Sequence, residues 1–307
     1  MKVLITGGAG FIGSNIVRYL VSEGMDVLVV DDFSTGKASN IHPDIQLENL
    51  DISTPDLTSL FNSFKPDIVT HCAAQTSVYI STEDPVRDAH INILGGINVI
   101  MASLSSNVKQ FIYLNTGGAL YGEPVYTPCD ENHPLNPISP YGVSKMVIES
   151  YLKILKNEKM DIKSLRLANV FGAAQDPSGY SGVISIFLKL MHDGKEIIIY
   201  GDGSQSRDFI YIEDVISAYA KIIEYQGDLT VNIGSGKGVS VNKVFEELSS
   251  VLNYRLSPNH APARDGEVTE IILDIRKAAN ILKWVPLFSF KDGIKTTIQE
   301  LGFNKLL

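Results

Sequence analysis

Short apolar runs alternate with amphipathic segments through the first half of the chain. The runs are rich in Val, Ile and Leu, which is typical of strands buried on both faces of a parallel sheet. Five of them predict strands: Lys2–Thr6, Val27–Val30, Ile68–His71, Phe111–Asn115 and Ile162–Leu167. Between them, apolar side chains repeat at helical spacing in three segments: Phe11–Glu23, Val86–Leu104 and Pro140–Lys156. This order predicts a doubly wound α/β fold, with parallel strands joined by right-handed crossover helices.

The pattern changes after about residue 171. Ala173–Gly182 is rich in Gly, Ser, Pro and Asp without a hydrophobic period, which indicates an exposed loop. Three elements are predicted beyond it: a helix at Ile184–His192, a strand at Glu196–Tyr200 and a helix at Val241–Leu252. We therefore expect one domain in residues 1–172, with segments near 208–235 returning to it. A smaller α/β cap, mainly in residues 173–307, would close over the carboxyl edge of the sheet, where open α/β sheets bind ligands.

Charge narrows the range of partners. The chain of 307 residues has 26 Lys and Arg against 35 Asp and Glu, a formal net charge of −9. No basic tract stands out, which argues against a surface that binds nucleic acid. A single anionic small molecule is still compatible with this charge, because one or two arginines inside a pocket can oppose the sign of the whole protein.

Cysteine content and the N-terminal residues bear on the compartment. Two cysteines, Cys72 and Cys129, give neither a disulfide framework nor a paired metal-ligand spacing. The 6 histidines are scattered, so neither a metal centre nor a Ser-His-Asp hydrolase is expected. The first residues lack the features of a secretory signal, and no apolar stretch is long enough to span a bilayer. We expect a cytoplasmic protein that binds neither metal nor membrane.

The first predicted strand runs into a glycine-rich turn with the sequence G-G-A-G-F-I-G. Gly7, Gly10 and Gly13 allow a tight turn in which backbone amides approach a pyrophosphate. Phe11 and Ile12 then open a predicted helix, whose N-terminus supplies partial positive charge. The position of the turn between a strand and a helix predicts a dinucleotide-binding domain of the Rossmann type.

Two acidic residues, Asp31 and Asp32, follow at the end of the second predicted strand. A carboxylate at this point of a Rossmann domain accepts hydrogen bonds from the adenosine ribose. It also repels a 2′-phosphate, so NAD is favoured over NADP. Lys37 is the one nearby feature that favours a phosphate. The alternative is a structural turn followed by a solvated acidic loop.

Tyr141 and Lys145 lie four residues apart in a helix predicted to start after Pro140, so they share one face. A nearby ammonium stabilises a phenolate and lowers the tyrosine pKa. Such a tyrosine can take the proton of a sugar or alcohol hydroxyl while hydride leaves the carbon. The alternative is a half-exposed tyrosine beside a solvated lysine. The dinucleotide-binding turn in the same chain favours the catalytic pair.

Several motifs together resemble a known family. They are the glycine turn, Asp31-Asp32, Asp51-Ile52, Ala73-Ala74-Gln75, Thr116–Gly122, Tyr141–Lys145, Arg166–Gly172, Tyr200–Phe209, Tyr211–Val215 and Ala263–Glu267. With them the chain resembles, over almost its whole length, the NAD-dependent epimerase/dehydratase family of the extended short-chain dehydrogenase/reductases. Within this family it is similar to the UDP-glucose 4-epimerases. The resemblance implies an isomerase with an NAD-binding Rossmann domain and a C-terminal substrate-binding domain.

The resemblance also implies roles for individual residues. Tyr141 would be the catalytic base, and Lys145 would adjust its pKa and contact the nicotinamide ribose. Further cofactor contacts are implied at Asp51, Ile52, Ala73, Ala74, Gln75 and Asn92. The UDP-sugar would be held at Asn169, Val183, Tyr200, Arg207 and Arg264. Two guanidinium groups can bind a pyrophosphate bidentately inside a net acidic protein. The alternative for each arginine is a surface ion pair with the aspartate that follows it.

The loop that carries the catalytic hydroxyl departs from the simplest family pattern. Many members have Ser or Thr four positions before the Tyr-Gly pair, where this chain has Gly117. Thr116 is therefore the candidate for hydrogen bonding to the reacting hydroxyl of the substrate, with Asn115 as a second donor. Dehydratases of the superfamily have an acidic pair after the threonine. Gly118 and Ala119 stand there instead, which disfavours dehydration and decarboxylation.

The implied reaction is C4 epimerisation of a UDP-hexose through a transient 4-keto sugar. A large aromatic seven positions after Arg264 excludes N-acetyl groups in the family, and Ile271 is smaller. We expect UDP-glucose and UDP-galactose as substrates, with the N-acetylhexosamines as further ones. The alternatives are another nucleotide-sugar epimerase, such as a UDP-hexuronate epimerase, and a non-catalytic NAD-binding module. Family members pair the helices at Val86–Leu104 and Pro140–Lys156 across a two-fold axis, which implies a homodimer.

Overall fold

The computed structural model describes residues 1–175, 182–263 and 268–303, which form two compact units. The first unit consists of Met1–Leu120, Pro137–Arg166 and Tyr219–Val231. The second consists of Tyr121–Asn136, Leu167–Ala218 and Asn232–Leu307. The chain leaves the first unit after Leu120, earlier than the expected boundary at residue 172, and returns to it twice.

The strands of the described residues are β1 Lys2–Thr6, β2 Asp26–Asp31, β3 Gln46–Asn49, β4 Ile68–His71, β5 Gln110–Thr116, β6 Asp161–Leu167, β7 Asn169–Phe171, β8 Ile198–Tyr200, β9 Ser206–Tyr211, β10 Leu229–Ile233, β11 Gly238–Ser240, β12 Asn259–Ala261 and β13 Glu270–Ile271. A seven-stranded sheet has the order β10-β6-β5-β4-β1-β2-β3. β1 pairs in parallel with β2 and β4, and β2–β3 and β4–β5 are also parallel. The strand order reverses beside β1, at the switch point where doubly wound sheets bind ligands. The predicted doubly wound fold is confirmed.

The helices are α1 Phe11–Ser22, α2 Asp56–Phe64, α3 Val78–Glu83, α4 Pro85–Ala89, α5 Gly96–Ser105, α6 Gly117–Leu120, α7 Pro140–Leu155, α8 Val183–His192, α9 Ile212–Glu224, α10 Val241–Leu252, α11 Arg276–Ile281 and α12 Phe290–Glu300. Helix α7, which carries the Tyr141–Lys145 motif, has a well-defined start. Pro140 occupies the first turn, where a missing N–H costs nothing, and the Ser139 side chain accepts a hydrogen bond from the Gly142 amide.

The core of the first unit explains the apolar runs in the sequence. Leu4, Val69 and Phe111, from three neighbouring strands, are completely buried. Val99 of α5 and Ile148 of α7 belong to the same buried cluster. Burial contributes roughly 1.5–3 kcal/mol for each large apolar side chain, so this cluster fixes the helices against the sheet.

The predicted single helix Val86–Leu104 is divided in the structure. A π-helical segment, His90–Gly95, lies between α4 and α5. Within it the Asn92 side chain is turned toward the loop after β4 and is bonded to Gln75. A Cβ on Gly96 would lie 2.7 Å from the Ile148 side chain, so the helix also passes very close to α7. A hydrophobic period alone cannot report such a local widening of the helix, which is often found at functional sites.

The second unit is organised around β9. This strand pairs with β11, β13 and β7, while β8 and β12 form a separate pair. The carboxylate of Asp208 in β9 accepts hydrogen bonds from Ser235, Gly236 and Leu273. The predicted strand Glu196–Tyr200 is shorter and begins at Ile198. Over the described ranges, no helix combines the length and apolar character that crossing a membrane requires.

Candidate active site

The glycine turn closes tightly between β1 and α1. Gly7 has φ +69°, and a Cβ there would lie 2.4 Å from the amide nitrogen of Ala73. A Cβ on Gly13 would lie 2.2 Å from the carbonyl oxygen of Gly7. Gly10 precedes α1 without a side-chain cap, and Phe11 opens the helix without an acidic residue in its first turn. The N-terminus of α1 thus has no side-chain cap that would compete with an anion, which fits the pyrophosphate of a dinucleotide, while the amides of Gly7, Ala9 and Gly10 are already hydrogen-bonded.

The end of β2 provides the two carboxylates expected at the ribose. Asp31 is 7% exposed, and it accepts hydrogen bonds from the Ala9 and Phe33 amides at 2.9 Å each. Burial raises the pKa of Asp31, although these two hydrogen bonds oppose the shift. Asp32 is exposed and accepts hydrogen bonds from the Ser34 amide and hydroxyl. Each Asp31 oxygen keeps room for a further donor such as a ribose hydroxyl.

The loops after β3 and β4 hold the other residues expected at the cofactor. Ala73 and Ala74 are half-buried and follow β4 directly beside the glycine turn. Asp51 is half-buried, and its carboxylate accepts a hydrogen bond from the backbone two residues on. Ile52 is buried, and its side chain lies within 2.8 Å of where a Cβ on Gly95 would be. These residues and the glycine turn fit NAD, whose adenosine half they would hold.

Tyr141 and Thr116 meet in the first unit. Tyr141 lies in the first turn of α7, and Thr116 ends β5. The Thr116 side chain lies near the Tyr141 phenol and lowers its pKa. Burial has a larger effect in the opposite direction, and the negative charge of Asp88 adds to it, so the pKa is raised overall. Burial therefore sets the direction of the shift, opposite to the lowering expected from Lys145.

Lys145 is almost completely buried, with 4% of its surface exposed. Its Nζ donates a 2.8 Å hydrogen bond to the carbonyl oxygen of Leu114 and lies 4.7 Å from the centre of the Tyr113 ring. Burial lowers the pKa of Lys145 to about 8, against the opposing effects of Cys72 and Asp88. The Leu114 carbonyl and the Tyr113 ring therefore fix the position of the ammonium, which is mostly charged at neutral pH.

Asn115, the second candidate donor, does not share the role of Thr116. It is 3% exposed, and its Nδ2 donates a 2.8 Å hydrogen bond to Glu149 Oε2. Its Oδ1 accepts a hydrogen bond from the Thr116 amide at 2.9 Å. Arg166 binds Glu149 through Nε and Nη2, at 3.1 and 2.7 Å. Asn115 thus connects the catalytic loop to a buried ion pair below it.

A cluster centred on Asp88 has no counterpart among the sequence-based predictions. Asp88 is completely buried in α4. Its Oδ1 accepts hydrogen bonds from Gln75 Nε2 and Asn92 Nδ2, both at 2.9 Å, and its Oδ2 accepts one from Ser144 Oγ at 2.6 Å. Asn92 also exchanges two hydrogen bonds with the Gln75 backbone. The helical spacing of Asp88 with Asn92 was a visible signal, but nothing in the sequence shows that Ser144 reaches it.

The residues expected at the UDP-sugar lie in the second unit. Asn169 begins β7 and Val183 begins α8, and both are half-buried. Tyr200 ends β8 and is 38% exposed. Arg207, in β9, donates a 2.8 Å hydrogen bond from Nη1 to the Ser206 carbonyl oxygen. Arg264 lies outside the described residues.

Ile271 stands beside Arg207 in this unit. The two residues are register partners of the parallel pair β13–β9, so their side chains project from the same face of the sheet. Asp208, the next residue after Arg207, points the other way and is 1% exposed. Its carboxylate instead accepts hydrogen bonds from neighbouring loops of the same unit. This arrangement does not support the alternative in which Arg207 and Asp208 form a surface ion pair.

Comparison with known proteins gives a consistent result. A sequence profile of the NAD dependent epimerase/dehydratase family matches residues 3–234. The crystal structure of UDP-glucose 4-epimerase from Thermotoga maritima with UDP-glucose has 40% sequence identity, covers 99% of both chains and has a TM-score of 0.96. The NAD complex of UDP-glucose 4-epimerase from Thermus thermophilus has 35% identity over 100% of both chains, with a TM-score of 0.93.

A third similar structure has a different substrate in its name. UDP-N-acetylglucosamine 4-epimerase from Methanobrevibacter ruminantium, in complex with UDP-N-acetylmuramic acid, is 32% identical. It covers 99% of this chain and 98% of its own, with a TM-score of 0.92. Because the family profile spans most of the sequence and these similarities extend over all of it, the chain belongs to the NAD-dependent epimerase/dehydratase family.

Proposed function

We propose that the protein catalyses NAD-dependent C4 epimerisation of a UDP-hexose through a transient 4-keto sugar. The observation that carries this proposal is that Tyr141 of α7 lies near Thr116 at the end of β5, in the unit that also holds the dinucleotide-binding turn. A phenol beside a hydroxyl donor is suited to accept and return the proton of a sugar hydroxyl. Similarity over the full length to UDP-glucose 4-epimerases supports the same reaction.

The side chains divide the work of this reaction. Tyr141 takes the proton of the sugar 4-hydroxyl, and Thr116 orients that hydroxyl. Bound NAD would provide the nicotinamide ring that accepts the hydride from C4 and later returns it to C4. Because the hydride returns to the opposite face, the hexose must be held weakly while its nucleotide is held firmly. No second acid is needed in the catalytic loop, which agrees with Gly118 and Ala119 in α6.

The nucleotide diphosphate is assigned to the second unit. Arg207 is fixed by strand pairing on both sides, opposite Val239 of β11 and Ile271 of β13. A guanidinium on a rigid strand can bind phosphate oxygens bidentately with little loss of side-chain freedom. Asn169, Val183, Tyr200 and Arg264 complete the proposed UDP site.

UDP-glucose and UDP-galactose are the proposed substrates, with the N-acetylhexosamines as further ones. The aliphatic side chain of Ile271, beside Arg207, occupies less space than the large aromatic that excludes N-acetyl groups. The 32% identity to a UDP-N-acetylglucosamine 4-epimerase supports this wider range.

One experiment tests the reaction and its alternatives together. The purified protein is incubated with UDP-glucose, UDP-N-acetylglucosamine or UDP-glucuronate without added cofactor, and NMR follows the C4 epimer. We expect conversion of the first two. Conversion of UDP-glucuronate alone would establish the hexuronate alternative. Failure to convert any of these UDP-sugars, in protein that contains NAD by mass, would contradict the proposal and leave an epimerase of a different nucleotide sugar or the non-catalytic module.

A cytoplasmic homodimer is part of the proposal. Cys72 and Cys129 are both free thiols, which suits a reducing compartment. Helices α3, α4, α5 and α7 and the π-helical segment pack together and expose large apolar side chains: Tyr79, Val86, Leu94, Met101 and Ile154. Exposed apolar surface of this kind is typical of a protein–protein interface, and a second copy of the chain would cover it.

A further inference from the structure

The Asp88 carboxylate lies at the junction of three segments of the first unit. It receives hydrogen bonds from Gln75 in the loop after β4, Asn92 in the π-helical segment and Ser144 in α7. Ser144 lies between Tyr141 and Lys145 in the sequence and is itself 2% exposed. Asp88 is therefore bonded directly to the helical turn that carries the base and the ammonium.

Among the described residues, the hydrogen bonds that reach this carboxylate come from no cation. Its partners, Gln75, Asn92 and Ser144, are all neutral donors. Burying a carboxylate without a charged partner is expensive, and an apolar residue would fill the same space at lower cost. The nearest compensation is the through-space attraction of Lys145, whose pKa the Asp88 charge raises. The same charge acts on Tyr141 in the direction that favours the neutral phenol.

We propose that Asp88 is a positioning residue of the epimerase reaction, which holds α7 through Ser144 and whose buried charge sets the protonation balance between Tyr141 and Lys145. This inference rests on the proposed function. The charge keeps Lys145 in the ammonium form and keeps the Tyr141 proton on the phenol until substrate and cofactor are in place.

Other titratable groups around the cluster do not compete with this effect. His71 is buried and its pKa is lowered to about 3, while the pKa of Cys72 is raised to about 12 and that of Tyr113 is raised by burial. These three groups are therefore neutral near pH 7. Glu149, one turn beyond Lys145, is charged but is neutralised by Arg166. Cys72 acts on Lys145 in the same direction as Asp88, and of these groups Asp88 acts on both Tyr141 and Lys145.

The substitution Asp88→Asn removes the charge and can keep every hydrogen bond. The Asn Oδ1 can accept from Gln75 and Asn92, and its Nδ2 can donate to Ser144, because a serine hydroxyl both donates and accepts. Ser144→Ala is the matched control, since it removes one hydrogen bond and leaves the charge in place. Thermal melting and the NAD content of each variant report on folding separately from activity.

The experiment measures kcat for UDP-glucose from about pH 5 to about pH 10 in the wild type and both variants. Without the Asp88 charge the phenolate is favoured and the ammonium disfavoured, so both limbs of the Asp88→Asn profile should move to lower pH, by about one unit. The ratio of Asp88→Asn to wild-type kcat should therefore fall as pH rises, while the Ser144→Ala ratio stays constant.

A constant ratio for Asp88→Asn over the whole range would overturn the proposal and leave Asp88 a purely structural residue. If Asp88→Asn does not fold, Asp88→Ser, which also removes the charge and introduces a hydroxyl that can accept a hydrogen bond, is measured in the same way. Wild-type conversion of UDP-glucose in the same assay tests the proposed function independently. Inactive wild-type protein would contradict that function, whereas active protein with an unshifted variant contradicts only the role of Asp88.

Discussion

Burial and the charge of Asp88 raise the pKa of the Tyr141 phenol against the opposing effect of Thr116, so the phenol keeps its proton at neutral pH. Lys145, with a pKa of about 8, is mostly charged at neutral pH. The sequence motif therefore supplies a tyrosine and a lysine, but the residue types alone do not determine the protonation state of either side chain. That property depends on neighbours that are distant in the sequence, such as Asp88.

Replacing Tyr141 with Phe tests the base. The substitution removes one hydroxyl from a half-buried side chain, so the protein should fold and retain NAD. Loss of a general base typically reduces kcat by about 10² to 10⁴, and we expect a reduction in this range. Tyr151→Phe is the matched control, because Tyr151 lies on the same helix and is 39% exposed. Near-normal turnover by Tyr141→Phe would exclude it as the base.

At the scale of elements, a buried ion pair connects α7 to the sheet. Glu149 is bound by Arg166 of β6 and by Asn115 of β5, and it also contacts Ser164. Hydrogen bonds and charge from Arg166 and Lys153 lower the pKa of Glu149 to about 2, although burial alone raises it. Asn115 also accepts a hydrogen bond from the Thr116 amide, so this network extends to the backbone of Thr116. The Glu149–Arg166 ion pair therefore helps to fix the position of Thr116.

Arg166→Met should destabilise the first unit. It leaves Glu149 as a buried charge without its main partner, and removing one member of a buried pair typically costs about 3–5 kcal/mol. Lys153→Met is the matched control: Lys153 bonds the same carboxylate at 2.8 Å but is 58% exposed, and such pairs contribute at most about 1 kcal/mol. Denaturant unfolding measures both. Equal losses of unfolding free energy would contradict the buried role.

The pH dependence of stability follows from the same carboxylate. The pKa of Glu149 is lower in the folded protein than the roughly 4.3 of an unfolded chain, so its contribution is complete above that value. It is lost as pH falls toward about 2. As the pH is lowered from about 4 to about 2, the denaturant concentration at the unfolding midpoint of the wild type should therefore decrease. The midpoint of Arg166→Met should decrease less steeply over the same range.

The glycine turn is the second element whose geometry can be tested. In Gly13→Ala the new methyl group would lie 2.2 Å from the Gly7 carbonyl oxygen, so the turn must open. We expect loss of bound NAD, measured by absorbance of the denatured extract, together with a lower melting temperature. Val21→Ala is the control, because Val21 lies on the same helix and is 38% exposed. It should change neither the NAD content nor the melting temperature. Full NAD occupancy in Gly13→Ala would show that the turn tolerates the methyl group.

At the scale of the whole molecule, the exposed apolar side chains are the main unexplained feature of the first unit. Val86 and Ile154 are 78% and 77% exposed, and Leu94 of the π-helical segment and Met101 of α5 are each just over half exposed. Exposure of these apolar side chains to water is unfavourable. Association of two copies of the chain through these helices would bury them.

Ile154→Glu combined with Leu94→Glu should therefore convert a dimer into a monomer. Buried charges without partners oppose association strongly. Sedimentation velocity at micromolar concentration measures the change. Leu287→Glu is the control, since Leu287 is 80% exposed in the second unit and away from these helices in the sequence. A wild-type protein that sediments as a monomer would contradict the proposed dimer directly.

The sequence alone determined the elements that depend on local patterns. The apolar runs predicted the central strands because parallel strands are buried on both faces, and the helical spacing predicted α1 and α7. The spacing of the glycines, and of Tyr141 and Lys145, reflects local geometry and led to the family. Thr116 was identified in the same way, from its place in a short motif.

Tertiary structure decided the properties that depend on residues brought together from distant parts of the chain. The predicted helix Val86–Leu104 is interrupted by a π-helical segment whose Asn92 is bonded to Gln75, and the contacts of Asn115 depend on Glu149. Asp88 of α4 affects the pKa values of Tyr141 and Lys145 because the fold brings α4 against α7, where Asp88 accepts a hydrogen bond from Ser144. Local patterns therefore specify which groups are present, whereas burial and long-range contacts specify their charge and orientation.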